Sequence, residues 1–221
     1  IRRILKAKRP RSFMLENVAY FEKHDGGRTW TVVKEVLEEE LDYKIYSTPL
    51  NAKFFGVPQN RPRFFVVGFS DRNVQFDWPQ PRTQVPVLKS ILEKDVAANY
   101  YLGQRYLESL KSHRARHEAK GHGFGYLVLD VEHDVAHALV VGGMGRERNL
   151  VKDKVLSDSW KLGDDKRKKN NEGIRRLTPR ECARLQGFPD SFRIPVSDTQ
   201  AYKQFANSVP VPVVRATAKK M

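Results

Sequence analysis

The feature that most constrains this chain is a short apolar run that stops on two polar residues, Ser12-Phe-Met-Leu15 followed by Glu16-Asn17. A run of that length reads as a buried strand ending in a carboxylate. In open α/β sheets the active crevice lies at the carboxyl ends of the strands. Asp25-Gly26-Gly27 then breaks the chain, and Trp30, Val33, Leu37 and Leu41 recur at helical spacing with Glu38, Glu39 and Glu40 outside. Tyr43–Thr48 and Phe64–Phe69 read as two further strands. Too few residues separate them for a helical crossover, so they are expected to pair antiparallel.

The 221 residues suffice for one large domain or two small ones. Forty basic against 26 acidic side chains leave a formal charge of +14, and the excess points to a polyanion, most often nucleic acid. The longest uncharged apolar stretches, Phe64–Ser70 and Val135–Gly145, fall short of the ~18 residues a membrane helix needs. No signal or transit segment is read at the start. The single cysteine, Cys182, excludes an internal disulfide framework or a Cys-rich zinc site and suits a reducing compartment. The six histidines show no metal-ligand spacing, so no metal is expected. The chain opens on Ile1 and runs at once into Arg2, Arg3, Lys6, Lys8, Arg9 and Arg11. Either this is a solvated basic arm, or the sequence enters a fold partway through.

Pro79, Pro81 and Pro86 mark residues 71–86 as a linker. Leu88–Leu92 reads as a short helix and Gln104–Ala119 as a longer one, with Leu107 and Leu110 inward and Lys111, Arg114 and Arg116 outward. Val135–Val141 reads as a strand. Residues 142–173 are glycine-rich and then heavily charged, including Lys166-Arg-Lys-Lys169. Thr178-Pro-Arg-Glu181 is a capping box with proline at the first helical position, and Gly187 suits the end of that helix. Ser197-Asp-Thr-Gln200 reads as a second capping box. Asn207 and Ser208 read as the cap of a last helix carrying Val213 and Val214.

Candidate chemistry gathers at a few places. Glu16 suits a carboxylate at a crevice, although on position alone a structural carboxylate closing a turn is the commoner case. Gln59, Arg61 and Arg63 lie at i, i+2 and i+4, so an extended chain projects all three from one face. Pro58 and Pro62 place them on an edge or at a strand start. This is a donor cluster for a phosphate or a base carbonyl, or a solvated edge. Gly121-His-Gly-Phe-Gly125 allows close backbone approach or is a plain loop. Gly142-Gly-Met-Gly145 matches neither a dinucleotide fingerprint nor a P-loop. Arg146, Arg148, Lys152 and Lys154 suit guanine edges or phosphates, or form a solvated face.

Taken in order, these stretches resemble the C-5 cytosine DNA methyltransferases. Phe13-Met-Leu-Glu-Asn-Val18 is similar to that family's Glu-Asn-Val motif, and Gln59-Asn-Arg-Pro-Arg63 to its Gln-x-Arg-x-Arg motif. Arg176-Leu-Thr-Pro-Arg-Glu-Cys-Ala-Arg-Leu-Gln-Gly-Phe-Pro189 and Gln204-Phe-Ala-Asn-Ser-Val209 are similar to the last two motifs. The resemblance implies the C-terminal half of a Rossmann-like methyltransferase domain: residues 1–85 and 173–221, interrupted by a small irregular target-recognition domain at 86–172. It implies S-adenosylmethionine as cofactor, double-stranded DNA as partner and a bacterial cytoplasmic setting. By the same resemblance Glu16 would act on N3 of a flipped-out cytosine, Asn17 and Val18 would shape the pocket, and Arg61 and Arg63 would hold the base or its phosphate. Gln59, Arg146 and Arg148 would meet DNA. Asn207, Ser208 and Val209 would close the cofactor pocket, with a helix N-terminus favouring the methionine carboxylate.

Two departures are expected to matter. Ala206 stands where the family usually has glycine, which strains the chain if that position needs a positive φ. The sequence also holds no glycine-rich cofactor loop and no Pro-Cys nucleophile motif ahead of Glu16, and Cys182 reads as a packed residue. The chain alone is therefore expected to be inactive. The nucleophile would lie in a missing N-terminal half or on a partner chain. The competing readings are a non-catalytic recognition subunit of a split enzyme and a DNA-binding decoy.

Overall fold

In the computed structural model, which describes residues 1–123, 125–141, 146–153 and 169–221, a three-stranded sheet carries helices on both faces. Its strands are β1 (Ser12–Val18), β2 (Lys44–Asn51) and β4 (Pro62–Phe69), in the order β1-β4-β2, with β4 antiparallel to both neighbours. The pleat sorts the side chains. Phe13, Leu15, Phe64 and Val66 face one way, onto Leu5 of α1 (Arg2–Lys8) and onto α2 (Arg28–Glu35) with the turn that extends it to Glu40. Met14, Phe65 and Val67 face the other way, toward Val213 and Val214 of α6 (Val211–Ala218) and toward Phe76 and Trp78. The antiparallel pairing of the second and third strands matches expectation. The first strand takes in Glu16 and continues through Asn17 to Val18 rather than ending at the carboxylate.

The break at Asp25–Gly27 is real: all three residues have positive φ, and α2 starts directly after them. Leu37 and Leu41 are buried as their spacing requires. Residues 71–86 form neither helix nor strand, yet they are packed rather than loose. Phe76 sits between Phe69 and Trp78 with ring centroids 5.7 and 4.9 Å away, and the Arg82 amide donates to the Phe54 carbonyl at 2.8 Å.

A second core joins residues 88–151 to the late helices. Leu88, Ile91, Leu129, Ala136 and Val151 pack against Leu177, Cys182 and Leu185, and against Ala201 and Phe205. These belong to short elements: a 3-10 turn Leu88–Ile91, β5 (Val128–Leu129), β6 (Ala136–His137), β7 (Leu150–Lys152) and β8 (Ile174–Arg176), then α4 (Pro179–Leu185) and α5 (Asp198–Asn207). The expected strand Val135–Val141 shrinks to β6 because its partner among the described residues is β3 (Gln59–Asn60), which Pro58 and Pro62 confine to two residues. The expected helix Gln104–Ala119 is α3 (Gln104–Glu118), with Leu107 and Leu110 buried. The loop Gly142–Gly145, Lys154 and the basic run up to Arg167 and Lys168 lie outside the described residues.

The capping box at Thr178 forms, with both reciprocal bonds present. Gly187 follows α4 at φ +76°, and an added Cβ would stand 2.4 Å from Pro212 Cδ, so glycine is required there on two counts. The second capping box does not form: Ser197 caps α5 without a side-chain bond, and acidic Asp198 occupies the first turn. The last helix starts at Val211 behind Pro210, because the proline φ presets the turn, so Asn207 and Ser208 close α5 instead of opening α6.

One buried network ties this second core together. The Arg175 guanidinium, fully buried, donates to both Glu181 carboxylate oxygens at 2.8 and 2.9 Å and to Asp153 Oδ2 at 2.7 Å. Glu181 also accepts from the Thr178 and Glu93 amides at 2.8 and 2.9 Å. Three separate stretches of the chain, at Glu93, Asp153 and Arg175–Glu181, thus meet on one buried guanidinium and its carboxylates. Breaking a buried pair from one side strands the other charge, so Arg175→Met is expected to lower unfolding free energy by about 3–5 kcal/mol, read by urea denaturation. Beside it, burial, aided by Asp198 and Asp153 respectively, pushes the Tyr100 and Tyr101 hydroxyls up to about 12. The unfolded chain ionises these phenols near the ordinary value, so stability is full below about pH 10 and falls as pH rises toward 12. Burial and Glu147 raise Tyr106 as well, so absorbance titration at 295 nm should show three of the eight tyrosines ionising late.

Candidate active site

The antiparallel register of β1 and β4 builds the centre of the site. Glu16 lies opposite Phe65 and Val18 opposite Arg63, so Glu16 and Arg63 share one face, one pleat apart. Arg63 Nε lies 3.0 Å from Glu16 Oε1, with 15% of the arginine and 24% of the glutamate side chain exposed. The pair is enclosed but reachable. Burial draws the Arg63 guanidinium below its ordinary value, and the Glu16 carboxylate opposes that. Asn17 turns its side-chain carbonyl onto the Val18 amide at 2.8 Å, which stiffens the end of the strand.

Gln59 and Arg61 do not join Glu16 and Arg63 on an open face. Gln59 is fully buried; its amide nitrogen donates to the Leu185 carbonyl at 2.9 Å and its oxygen accepts from the Leu139 amide at 3.1 Å. Arg61 is 3% exposed. It donates through Nη1 to Leu139 O at 2.9 Å and through Nη2 to Ala206 O and Ser208 O at 2.8 and 2.9 Å. Burial, and then the neighbouring Arg63 charge, draw its guanidinium down to about 10 against the pull of Glu16. The chain is not extended through all three residues: the Arg61 amide turns back to Gln59 O at 3.0 Å between β3 and β4, and both side chains meet protein rather than solvent.

Beside the pair, along the margin of the sheet, lies an apolar cavity of about 390 Å³. Leu15, Phe21, Trp30, Val33 and Phe64 line it, and it takes in Glu16 and Asn17. β1 forms one margin of the sheet and pairs, among the described residues, only with β4.

A family model of the C-5 cytosine-specific DNA methylases matches residues 1–221. The chain belongs to that family. It is 49% identical over 222 residues to the Type II methyltransferase M.HpaII of Haemophilus parainfluenzae, and 41% identical over 221 residues to M.NlaX of Neisseria lactamica. These alignments cover 99% and 100% of this chain but 62% and 66% of those proteins, so the chain spans about two thirds of their length. In fold it is similar to the Entamoeba histolytica methyltransferase EhMeth (TM-score 0.69, 16% identity, 95% of this chain and 61% of that one). It is likewise similar to the S. pombe Dnmt2 methyltransferase (TM-score 0.67, 18% identity, 94% and 64%). The solved neighbours thus bear out the Rossmann-like methyltransferase fold class.

Within this family member the last motif departs from expectation in two ways. Ala206 is helical in α5 and buried, with no positive φ, so alanine carries no strain there. The start of α6 offers no open amides to a carboxylate. Pro210 and Pro212 have none, the Val211 amide donates to Gln186 O at 2.8 Å, and the Val213 amide turns back to Pro210 O at 3.1 Å. Asn207 is exposed at the end of α5, Ser208 Oγ donates to Phe205 O at 2.8 Å, and Val209 packs toward the sheet core. Cys182 is buried within α4.

Arg146 opens the 3-10 turn Arg146–Asn149, and Arg148 in that turn is exposed. The turn is held by Asn149, a residue the sequence did not single out. Its side chain accepts from the His137 amide at 2.7 Å and donates to the His137 carbonyl at 3.1 Å. Arg175 was likewise missed, although an arginine inside an Ile-Arg-Arg triplet next to a capping box hints at an internal carboxylate partner. Removing the Gln59 amide would leave the Leu139 N–H and Leu185 C=O unpaired. Gln59→Ala is therefore expected to destabilise by about 1–3 kcal/mol in a thermal or denaturant melt.

Proposed function

We propose that this chain supplies the base-holding and DNA-recognition part of a DNA (cytosine-5) methyltransferase, and that Glu16 and Arg63 grip the target cytosine. The Glu16–Arg63 ion pair, enclosed yet reachable beside the crevice, carries this reading. A cytosine ring presents O2, N3 and the N4 amino group along one edge, as acceptor, acceptor and donor. With a proton taken up between Glu16 and N3 as the base binds, Glu16 hydrogen-bonds N3 and accepts from N4, while Arg63 donates to O2. A proton held at N3 withdraws electron density from C6, where a thiolate adds, and the guanidinium stabilises the charge that develops on the ring. Stacked in a duplex the base is out of reach, so it must be extruded into the crevice. Asn17, tied to the Val18 amide, keeps the strand end from yielding as the base enters.

S-adenosylmethionine, when bound, supplies the methyl group for C5. The fit of the residues present is partial: Asn207 offers an exposed side-chain amide and the Ser208–Val209 backbone a wall, whereas the first turn of α6 has no amides to give. The remaining contacts, and the attacking thiolate that Cys182 is too buried to provide, are assigned to protein outside these residues. The apolar cavity along the β1 margin fits such a segment, whether joined to this chain or carried by a partner. Packing suggests that the recognition body takes in α4 and α5, with residues 1–85 and α6 forming the catalytic side. Arg146 and Arg148 are the proposed contacts to duplex DNA, in keeping with the net charge of +14. Among the described residues no helix is long and apolar enough to cross a membrane, and a bacterial cytoplasmic setting is proposed from the Haemophilus and Neisseria relatives.

The test is transfer of a labelled methyl group from S-adenosylmethionine to duplex DNA by the complete protein. Glu16→Gln is expected to lower the rate about 100- to 10,000-fold with DNA affinity retained. Wild-type rates from Glu16→Gln would overturn the assignment, and full activity from residues 1–221 alone would overturn the external thiolate.

A further inference from the structure

We propose that Arg61 is a positioning residue that couples cofactor binding to engagement of DNA; the inference rests on the function proposed above. Its guanidinium bridges segments 78, 145 and 147 residues away: Leu139 O on one side, Ala206 O and Ser208 O on the other. Leu139 follows β6, and β6 is clamped through His137 and Asn149 to the turn that carries Arg148. Ala206 and Ser208 flank Asn207, the proposed cofactor contact. One rigid fork therefore touches the recognition segment and the cofactor segment at once.

The choice of partners is what makes this a coupling element. All three acceptors are neutral carbonyls, and the charge is nine-tenths or more buried. Among the described residues the Arg61 Nε is buried with no partner, so these three bonds are what solvates the charge, and losing one costs more than losing a bond between neutral groups. Holding Leu139 in place therefore favours the placement of 206–208, and the reverse. Coupling of this kind is reciprocal. Gln59 grips the Leu139 amide from the same side, so the carbonyl and the amide of that residue are both reported to the catalytic strand. Lysine would keep the charge but cannot span acceptors in separate elements with a planar fork.

The experiment measures the affinity of the natural full-length protein for S-adenosylhomocysteine by calorimetry, with and without saturating duplex DNA. In wild type the two values are expected to differ at least fivefold. In Arg61→Lys the ratio is expected to fall toward one. A merely structural arginine would weaken both affinities alike and leave the ratio unchanged, which would overturn the proposal. Should a variant fold poorly, hydrogen exchange on wild type decides: DNA should slow exchange of the amides around 206–209, and unchanged rates there would overturn it. Wild type that binds neither ligand would overturn the proposed function and this inference with it. Binding of both with a ratio indifferent to Arg61 would overturn this inference alone.

Discussion

The reversed strand β4 runs between β1 and β2, and its backbone register decides what meets at the crevice. With Val18 opposite Arg63 and Phe65 opposite Glu16, the carboxylate and the guanidinium project from the same face. A slip of one residue along either strand would send one of them into the opposite core. That register is in turn enforced by the pleat. Phe13, Leu15, Phe64 and Val66 belong under α1 and α2, and Met14, Phe65 and Val67 belong under α6. Gly68 adds a lock of its own: the Phe13 ring lies where its Cβ would be, 2.2 Å from the nearest ring carbon, so only glycine lets this cross-strand pair close. Two apolar cores therefore determine the position of two charges that belong to neither.

How far the sequence spoke depended on where each residue's partners lie. β1, β2, β4, α3 and α4 were legible because their signal is local: an apolar run, a helical period, or a cap three residues from its partner. β5, β7 and β8 were not, since strands of two or three residues have no period and exist only because neighbours pair with them. The second capping box shows the limit of a local rule. Ser197 has the right residues after it, yet its side chain makes no cap, and Asp198 spends its carboxylate on the Tyr100 hydroxyl 98 residues away. The site divides along the same line. Glu16 and Arg63 were legible as chemistry. Gln59 and Arg61 were legible as donors, but their acceptors sit 78 to 147 residues away, and alternation alone reads the same for a solvent-facing edge and for a bolt between segments.

Arg175 and Arg61 show two ways of burying a guanidinium, and the difference bears on function. Arg175 is met by Glu181 and Asp153, so its charge is neutralised where it stands. Such a network holds its geometry, and it fixes three separate stretches of the chain to one another. Among the described residues the Arg61 guanidinium is met by carbonyls alone; the carboxylate that acts on it, Glu16, is already paired with Arg63. Two guanidinia, one at the crevice and one buried behind it, thus feel one carboxylate, leaving a positive charge with no second counter-ion among the described residues. A site of that kind favours an incoming phosphate or a ring oxygen on which charge builds. It also depends on every carbonyl that solvates Arg61. The guanidinium that raises the positive charge behind Glu16 and Arg63 is therefore the same one that ties Leu139 to the chain at Ala206 and Ser208.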